Sequence, residues 1–408
     1  MWKSLLRRTL DGYVRRGSLT VRFPDGTQAE FGDGGAPRAG LHIRDPALVA
    51  RLVRNPELAL GEGYVDGDLA IEGDDLHGLL ELAIRNLSRD HRDLMHRLAV
   101  RLRDAFRALQ QYNPAGRARA NVARHYDLSG ALYDLFLDAD RQYSCAYFAR
   151  PGMTLDQAQA AKKAHIAAKL CLDRDMRVLD IGCGWGGLAL TLARDHGARV
   201  LGVTLSEEQH RHATARAMAE GLADRVDFRL CDYRSLEGRF DRIVSVGMFE
   251  HVGAPQFGVY FRTLSERLEP DGVALIHTIG RAAPPGSTNP WIARYIFPGG
   301  YVPSLSEVMA SVERQGLFQT DIEVWRLHYA ETLRHWHDRF MARIDRARSL
   351  YDERFCRMWR FYLVACEQSF RFGRQCVFQI QLAHRQDAVP LTRDYLHSGP
   401  APLAHAAQ

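Results

Sequence analysis

No stretch constrains this chain more than Val178-Leu179-Asp180-Ile181-Gly182-Cys183-Gly184-Trp185-Gly186-Gly187. An apolar run carrying one acid ends in glycines, and these lead straight into a helix-patterned segment, Leu188 to His196. Glycine is needed where a backbone must turn tightly and let a ligand approach with no Cβ in the way. The surrounding pattern alternates. Strand-like runs fall at Arg177–Asp180, Val200–Val203, Val226–Leu230, Ile243–Val246 and Val273–His277, and helical spacing fills the intervals, as in Glu207–Glu220. This alternation predicts an α/β domain with a doubly wound parallel sheet and ligands at the carboxyl ends of its strands.

The glycine loop alone leaves the ligand open, because Gly182, Gly184 and Gly187 also satisfy the loose dinucleotide pattern GxGxxG. Two features favour S-adenosylmethionine. Asp180 stands two residues before the first glycine, where a carboxylate binds a cationic amino-acid group and would repel a pyrophosphate. Cys231-Asp232-Tyr233 follows the third strand, offering an acid for the adenine amino group and a ring for its face. The second strand ends in Thr204-Leu205-Ser206, without the acid a nicotinamide ribose requires. Glu207 and Glu208 belong instead to the first turn of the next helix, where acids suit the dipole. A nicotinamide oxidoreductase and a purely structural glycine turn remain the alternatives.

The chain has 408 residues, enough for two domains. Residues 1–84 mix strand-like runs (Leu19–Phe23) with turns, a helical piece at Pro46–Asn55 and the Gly-rich stretch Leu60–Gly67, which reads as a small α+β domain. Residues 85–112 carry Leu87, Leu94, Leu98, Leu102, Phe106 and Leu109 at helical spacing on an arginine-rich background. Such a helix could lie on an anionic bilayer. With Asp90, Asp93 and Asp104 breaking its basic face, packing as a linker is favoured. The expected division is 1–84, a linker at 85–120, a catalytic domain at 121–395 and a tail at 396–408. The seven cysteines are odd in number and form no CxxC pair, which argues against zinc and disulfides and for a reducing cytosol. A net charge of +5 is compatible with nucleic acid or anionic lipid and decides nothing alone. Met1–Arg8 starts like a signal peptide, but Arg7 and Arg8 cut it short. No apolar run approaches the ~20 residues of a membrane span, so membrane contact is expected from the side.

Further segments fix a family resemblance. They are His125-Tyr126-Asp127-Leu128, Gln142-Tyr143-Ser144-Cys145-Ala146-Tyr147-Phe148, the glycine loop, Gly202–Ser206 with Gln209, Phe240–Gly253 containing Gly-Met-Phe-Glu-His-Val-Gly, His277-Thr278-Ile279-Gly280, and Trp291–Gly300. In this order they resemble the cyclopropane-fatty-acid and mycolic-acid cyclopropane synthases, over roughly residues 120 to 385. The N-terminal third resembles the phospholipid-acting branch, in which such a domain is thought to help capture lipid.

The resemblance implies a class I S-adenosylmethionine-dependent methyltransferase fold and cyclopropanation of an unsaturated phospholipid acyl chain. It implies a bound bicarbonate as proton acceptor, held by Cys145, Glu250, His277, Tyr329 and the backbone of Ile279. Tyr143 and Ser144 would meet the methionine part of the cofactor, with Asp180, Gly182 and Gly184 at the loop. Thr204, Leu205 and Gln209 would run along the adenosyl group, with Asp232 and Tyr233 at adenine. No metal and no nucleic acid are implied; the expected setting is the cytoplasm, peripherally on the inner membrane face, and the expected assembly a homodimer. Plainer readings stand beside these. Glu250 and His251 could be a buried pair, His277 a satisfied core histidine and Tyr143 a core aromatic, while Leu327–Glu331 is a short match for Tyr329. Cys366 matches a cysteine sometimes given an active-site role, but its neighbours Phe361, Tyr362, Val364 and Phe370 favour an inert buried thiol. Sister readings are methyl or methylene branching of the acyl chain, and a lipid-binding protein that has lost catalysis.

Overall fold

In the computed structural model, which describes residues 1–87 and 130–397, two sheets organise the chain. The N-terminal domain begins with helix α1 (Trp2–Tyr13) and strands β1 (Ser18–Arg22), β2 (Gln28–Gly32) and β3 (Arg38–Ile43). Helices α2 (Pro46–Arg54) and α3 (Pro56–Asp66), strand β4 (Leu69–Ile71) and helix α4 (Leu76–Arg85) complete it. The sheet order is β2-β1-β3-β4, with β1 parallel to β3 and antiparallel to β2. Leu19 and Val21 alternate inward along β1, as a half-buried strand requires. Asp45 and Asn55 cap α2 and α3, each followed by proline at the first helical position, where its missing N–H costs nothing.

The Gly-rich stretch Leu60–Gly67 is helical up to Asp66. Its glycines serve close approach. A Cβ at Gly61 would lie 2.5 Å from the Trp291 indole, and one at Gly63 would lie 2.7 Å from Leu48. Gly67, at φ +83°, ends the helix in the left-handed conformation.

The second domain holds α5 (Gly130–Phe136), α6 (Leu155–Lys169), β5 (Arg177–Ile181), α7 (Gly187–His196), β6 (Arg199–Thr204), α8 (Glu207–Ala219) and β7 (Val226–Leu230). There follow β8 (Phe240–Val246), α9 (Phe257–Arg267), β9 (Leu268–Arg281), α10 (Pro290–Tyr295), α11 (Leu305–Glu313) and β10 (Phe318–Trp325). Helices α12 (His328–Ala342), α13 (Ile344–Leu350) and α14 (Glu353–Arg371) precede the last strand, β11 (Gln375–Ala383). The sheet order is β10-β11-β9-β8-β5-β6-β7. β7, β6, β5, β8 and β9 run parallel, whereas β11 and β10 pair antiparallel on the β9 side. The five expected strands lie on the five parallel ones; the antiparallel pair was not read from the sequence. Strand order reverses between β5 and β8, and a crevice opens at such a switch point.

The domains meet through α14, which packs on α3 and α4. Trp291 is 1% exposed between them, edge-on to Phe361 at 4.7 Å. Glu367, wholly buried on α14, is bonded by His77 of α4 and by Arg334 and Arg371. Of the helix expected over 85–112 only residues 85–87 are described; its remainder, the motif His125–Leu128 and residues 398–408 of the expected tail lie outside the described residues. Among the described residues no helix is long and apolar enough to cross a membrane, and no cluster of His, Cys, Asp or Glu could hold a metal ion.

Candidate active site

The turn after β5 bends through three glycines at positive φ, Gly182 (+81°), Gly184 (+54°) and Gly186 (+86°). A Cβ on Gly182 would press on Met248 at 2.8 Å, whereas Gly184 faces open space and is required for its backbone angle alone. The cleft above this loop is lined by all ten residues expected at the cofactor: Tyr143, Ser144, Asp180, Gly182, Gly184, Thr204, Leu205, Gln209, Asp232 and Tyr233. Thr204 Oγ1 donates to Gln209 Oε1 at 2.8 Å, tying the end of β6 to the first turn of α8. Glu207 and Glu208 fall in that first turn, as their place in the sequence indicated. The Asp232 carboxylate is gripped by Arg234 at 2.8 and 2.6 Å, so it is an engaged acid rather than a waiting one. Asp180 is 2% exposed and its Oδ2 has no hydrogen-bond partner. Burial pushes this carboxyl up to about 7 against the pull of the Lys162 ammonium.

A second group gathers where β8 meets β9. Register places Val246 opposite His277. Glu250, in the short turn after β8, accepts the Ile279 N–H on Oε1 at 2.6 Å, and its Oε2 is buried without a partner. Burial pushes Glu250 up to about 7, and the Ile279 bond opposes this. His277, buried, has Nδ1 3.1 Å from Gln379 Nε2 of β11 and lies edge-on to Trp325 at 5.0 Å. Burial, with Lys162 and Lys169 nearby, drives its pKa well below the ordinary value. A neutral imidazole that accepts at Nδ1 carries its proton on Nε2 and is a donor there. The satisfied-histidine reading thus describes one of its two nitrogens.

Cys145, Tyr329 and Cys366 belong to an aromatic wall built by α5, α12 and α14. The Cys145 thiol is fully buried beside Thr332, whose Oγ1 also accepts the Ala146 N–H at 3.0 Å; burial pushes the thiol far up. Tyr329, three residues before Thr332 on α12, packs against Phe370 and Trp336. Tyr143 joins its hydroxyl to that of Tyr362 at 2.9 Å, and Tyr362 lies four residues before Cys366 on α14. Burial pushes the Cys366 thiol up to about 12, which makes it a poor nucleophile. The six candidate catalytic residues therefore form two sets, and none lines the glycine-loop cleft. Each set adjoins it through the chain: Cys145 follows Ser144, and Glu250 stands between Met248 and His251.

One residue connects the sets and was not singled out from the sequence. Lys162 of α6 is fully buried, bonds Ser144, and acts electrostatically on Cys145, Asp180 and His277. Its signal was present: Leu155, Ala158, Lys162 and Ile166 form the buried stripe of α6, and a lysine on such a stripe is unusual. Thr332 and Gln379 gave no such signal.

A mostly parallel seven-stranded sheet with a glycine loop and a buried acid at the switch point defines a class I S-adenosylmethionine-dependent methyltransferase. The chain belongs to the mycolic acid cyclopropane synthetase family, whose profile matches residues 114–380, while a domain of unknown function matches residues 1–92. It is 40% identical to the cyclopropane-fatty-acyl-phospholipid synthase of Escherichia coli K12, over 83% of this chain and 86% of that one. It is 39% identical to a probable fatty acid methyltransferase of Pseudomonas putida, over 87% and 89%. Among solved structures, mycolic acid cyclopropane synthase CmaA1 complexed with SAH and CTAB superposes with a TM-score of 0.63 at 33% identity, covering 67% of this chain and 99% of that one.

Proposed function

We propose that the protein transfers the methyl carbon of S-adenosylmethionine to the cis double bond of an unsaturated phospholipid acyl chain and closes a cyclopropane ring. The observation that carries the reading is Glu250: a carboxyl with one buried, unpartnered oxygen and a pKa near 7, tied through the Ile279 N–H to the strand that carries His277. An alkene is a weak nucleophile and the sulfonium methyl is already electrophilic, so no covalent activation by the protein is needed. Alignment in a dry channel supplies most of the first step. That step leaves a carbocation on the acyl chain, and ring closure requires removal of a proton from the new methyl with water kept away.

Glu250 Oε2 as acceptor and His277 Nε2–H as donor offer the complementary pair that a bicarbonate ion would take, its hydroxyl toward Glu250 and an anionic oxygen toward His277. Cys145, Tyr329 and the Ile279 N–H complete the proposed set, with the Ile279 N–H shared with Glu250. Held there, bicarbonate would supply the proton acceptor. Glu250 fixes its orientation and can receive the proton in turn, since its own pKa lies near neutrality. The aromatic wall keeps water out. The lipid would be met transiently at the surface of the inner membrane leaflet.

The Pseudomonas relative's name favours a second reading, methyl or methylene branching, which shares the first step and differs only in the fate of the cation. One experiment separates them. The protein is incubated with labelled S-adenosylmethionine and vesicles of monounsaturated phospholipid, and the released chains are weighed and ozonised. One added CH2 with no surviving double bond is expected. A branched chain that keeps its double bond selects the second reading, and no transfer rejects both.

A further inference from the structure

Lys162 donates from Nζ to Gln142 Oε1 at 2.6 Å and to Ser144 Oγ at 2.9 Å. It is wholly buried, and among the described residues no carboxylate forms an ion pair with it. Burial lowers its pKa to about 8, with Asp138 holding it up, so it stays largely charged at neutral pH. A buried ammonium satisfied only by neutral acceptors is costly, and the chain keeps it beside the cofactor cleft.

The direction of these bonds has a chemical consequence. An ammonium carries three N–H donors and no acceptor. Ser144 must therefore accept from Lys162, and its own O–H proton is left to donate elsewhere. Ser144 lines the cleft. Gln142 is held likewise: its oxygen receives Lys162 and its Nε2 donates to Asp140 Oδ2 at 3.0 Å. On the same cleft, Asp180 presents an unpartnered carboxylate oxygen. Beside the glycine loop the cleft thus offers the Asp180 carboxylate as an acceptor and the Ser144 hydroxyl as a donor backed by a buried cation, with Arg141 also on the lining. Those are the complements of the two charges of an α-amino acid, and a group of the wrong sign at Ser144 would be repelled.

We infer that Lys162 is a positioning residue for the carboxylate of the cofactor's amino-acid portion, acting through the Ser144 hydroxyl that it holds as a donor into the cleft. The inference rests on the S-adenosylmethionine reading of that cleft. Lys162 and Asp180 divide the zwitterion between them, and this sets which end of the methionine part points toward the reaction.

The test is a binding contrast on the full-length protein, using S-adenosylhomocysteine and its decarboxylated analogue. Loss of a charge-backed hydrogen bond corresponds to about tenfold or more in affinity. Lys162→Met should weaken S-adenosylhomocysteine by about that factor, while the analogue, already lacking the carboxylate, changes by less than about threefold. Equal weakening of both ligands overturns the inference and makes Lys162 a structural residue. Should Lys162→Met fail to fold, Ser144→Ala reads the same contrast: selective loss supports the inference, and equal loss or none overturns it. A wild-type protein that binds neither ligand would instead overturn the cofactor reading beneath it.

Discussion

The cofactor cleft and the residues around Glu250 adjoin in the chain and are built differently. The cleft is built largely on backbone: three glycines at positive φ, side chains that follow their own strand within a few positions, and Tyr143 and Ser144 from the loop before α6. The candidate catalytic residues are side-chain structures in two sets, Glu250, His277 and Ile279 where β8 meets β9, and Cys145, Tyr329 and Cys366 in the aromatic wall. Burial raises the pKa of a carboxyl in each region, Asp180 in the cleft and Glu250 beyond it, so what separates them is the partner each is proposed to serve.

If this division is right, variants should separate binding from turnover. The largest effect is expected for Glu250→Gln, which keeps the acceptor for the Ile279 N–H and removes the ionisable group. Turnover should fall by about 10²–10⁴-fold with S-adenosylhomocysteine affinity nearly unchanged. Loss of both in parallel, by kinetics and calorimetry, would make Glu250 part of the cleft. Asp180→Asn is the mirror case, with cofactor affinity falling about 10–100-fold and bound-state turnover changed far less. In the wild type, affinity should rise as pH passes upward through about 7, where Asp180 ionises opposite Lys162, and Asp180→Asn should flatten that profile.

Stability offers a third contrast. Glu250 has a pKa of about 7 when folded against 4.5 unfolded, so the folded state holds its proton more tightly. Its favourable contribution is present below 4.5 and lost as pH rises through about 7. Glu250→Gln, a permanent mimic of the protonated form, should therefore gain up to about 3 kcal/mol over wild type above pH 8 and nothing at pH 4, by denaturant titration. A gain independent of pH would assign it to packing. The smallest effect is expected for Tyr143→Phe, which keeps the ring contacts with Trp336, Tyr133 and Phe136 and removes the hydroxyl bond to Tyr362, at about 1 kcal/mol by denaturant titration.

The same division explains what could be read in advance. Part of the cleft is written locally, because a strand, a tight turn and a helix leave a signature around Asp180 and the glycines, and Asp232 and Tyr233 follow a strand; Tyr143, Ser144, Thr204, Leu205 and Gln209 came from the family resemblance. All ten of its expected residues line it. The parallel strands were legible for the same reason. The antiparallel pair β10–β11 was not, since Phe318–Trp325 and Gln375–Ala383 are separated by three helices and pair only in space. The candidate catalytic residues of both sets came from the family resemblance alone. Nothing in Leu327–Glu331 announces that α12 sets Tyr329 beside the helix of Cys366, and Lys162 hid in a run of alanines. The Gly-rich stretch Leu60–Gly67 was assigned no element from the sequence; it is helical to Asp66, with glycine at positions 61 and 63 because neighbours occupy the space a side chain would take.

That crowding bears on how the protein can be handled. With no side chain at Gly61, the Trp291 indole enters a slot between the two halves and is covered from water by the smaller one. A chain cut down to its catalytic part would carry a bare tryptophan and a bare Phe361 on its surface, on the order of 300 Å² or more of greasy area. Such a fragment should self-associate unless the N-terminal domain is kept with it.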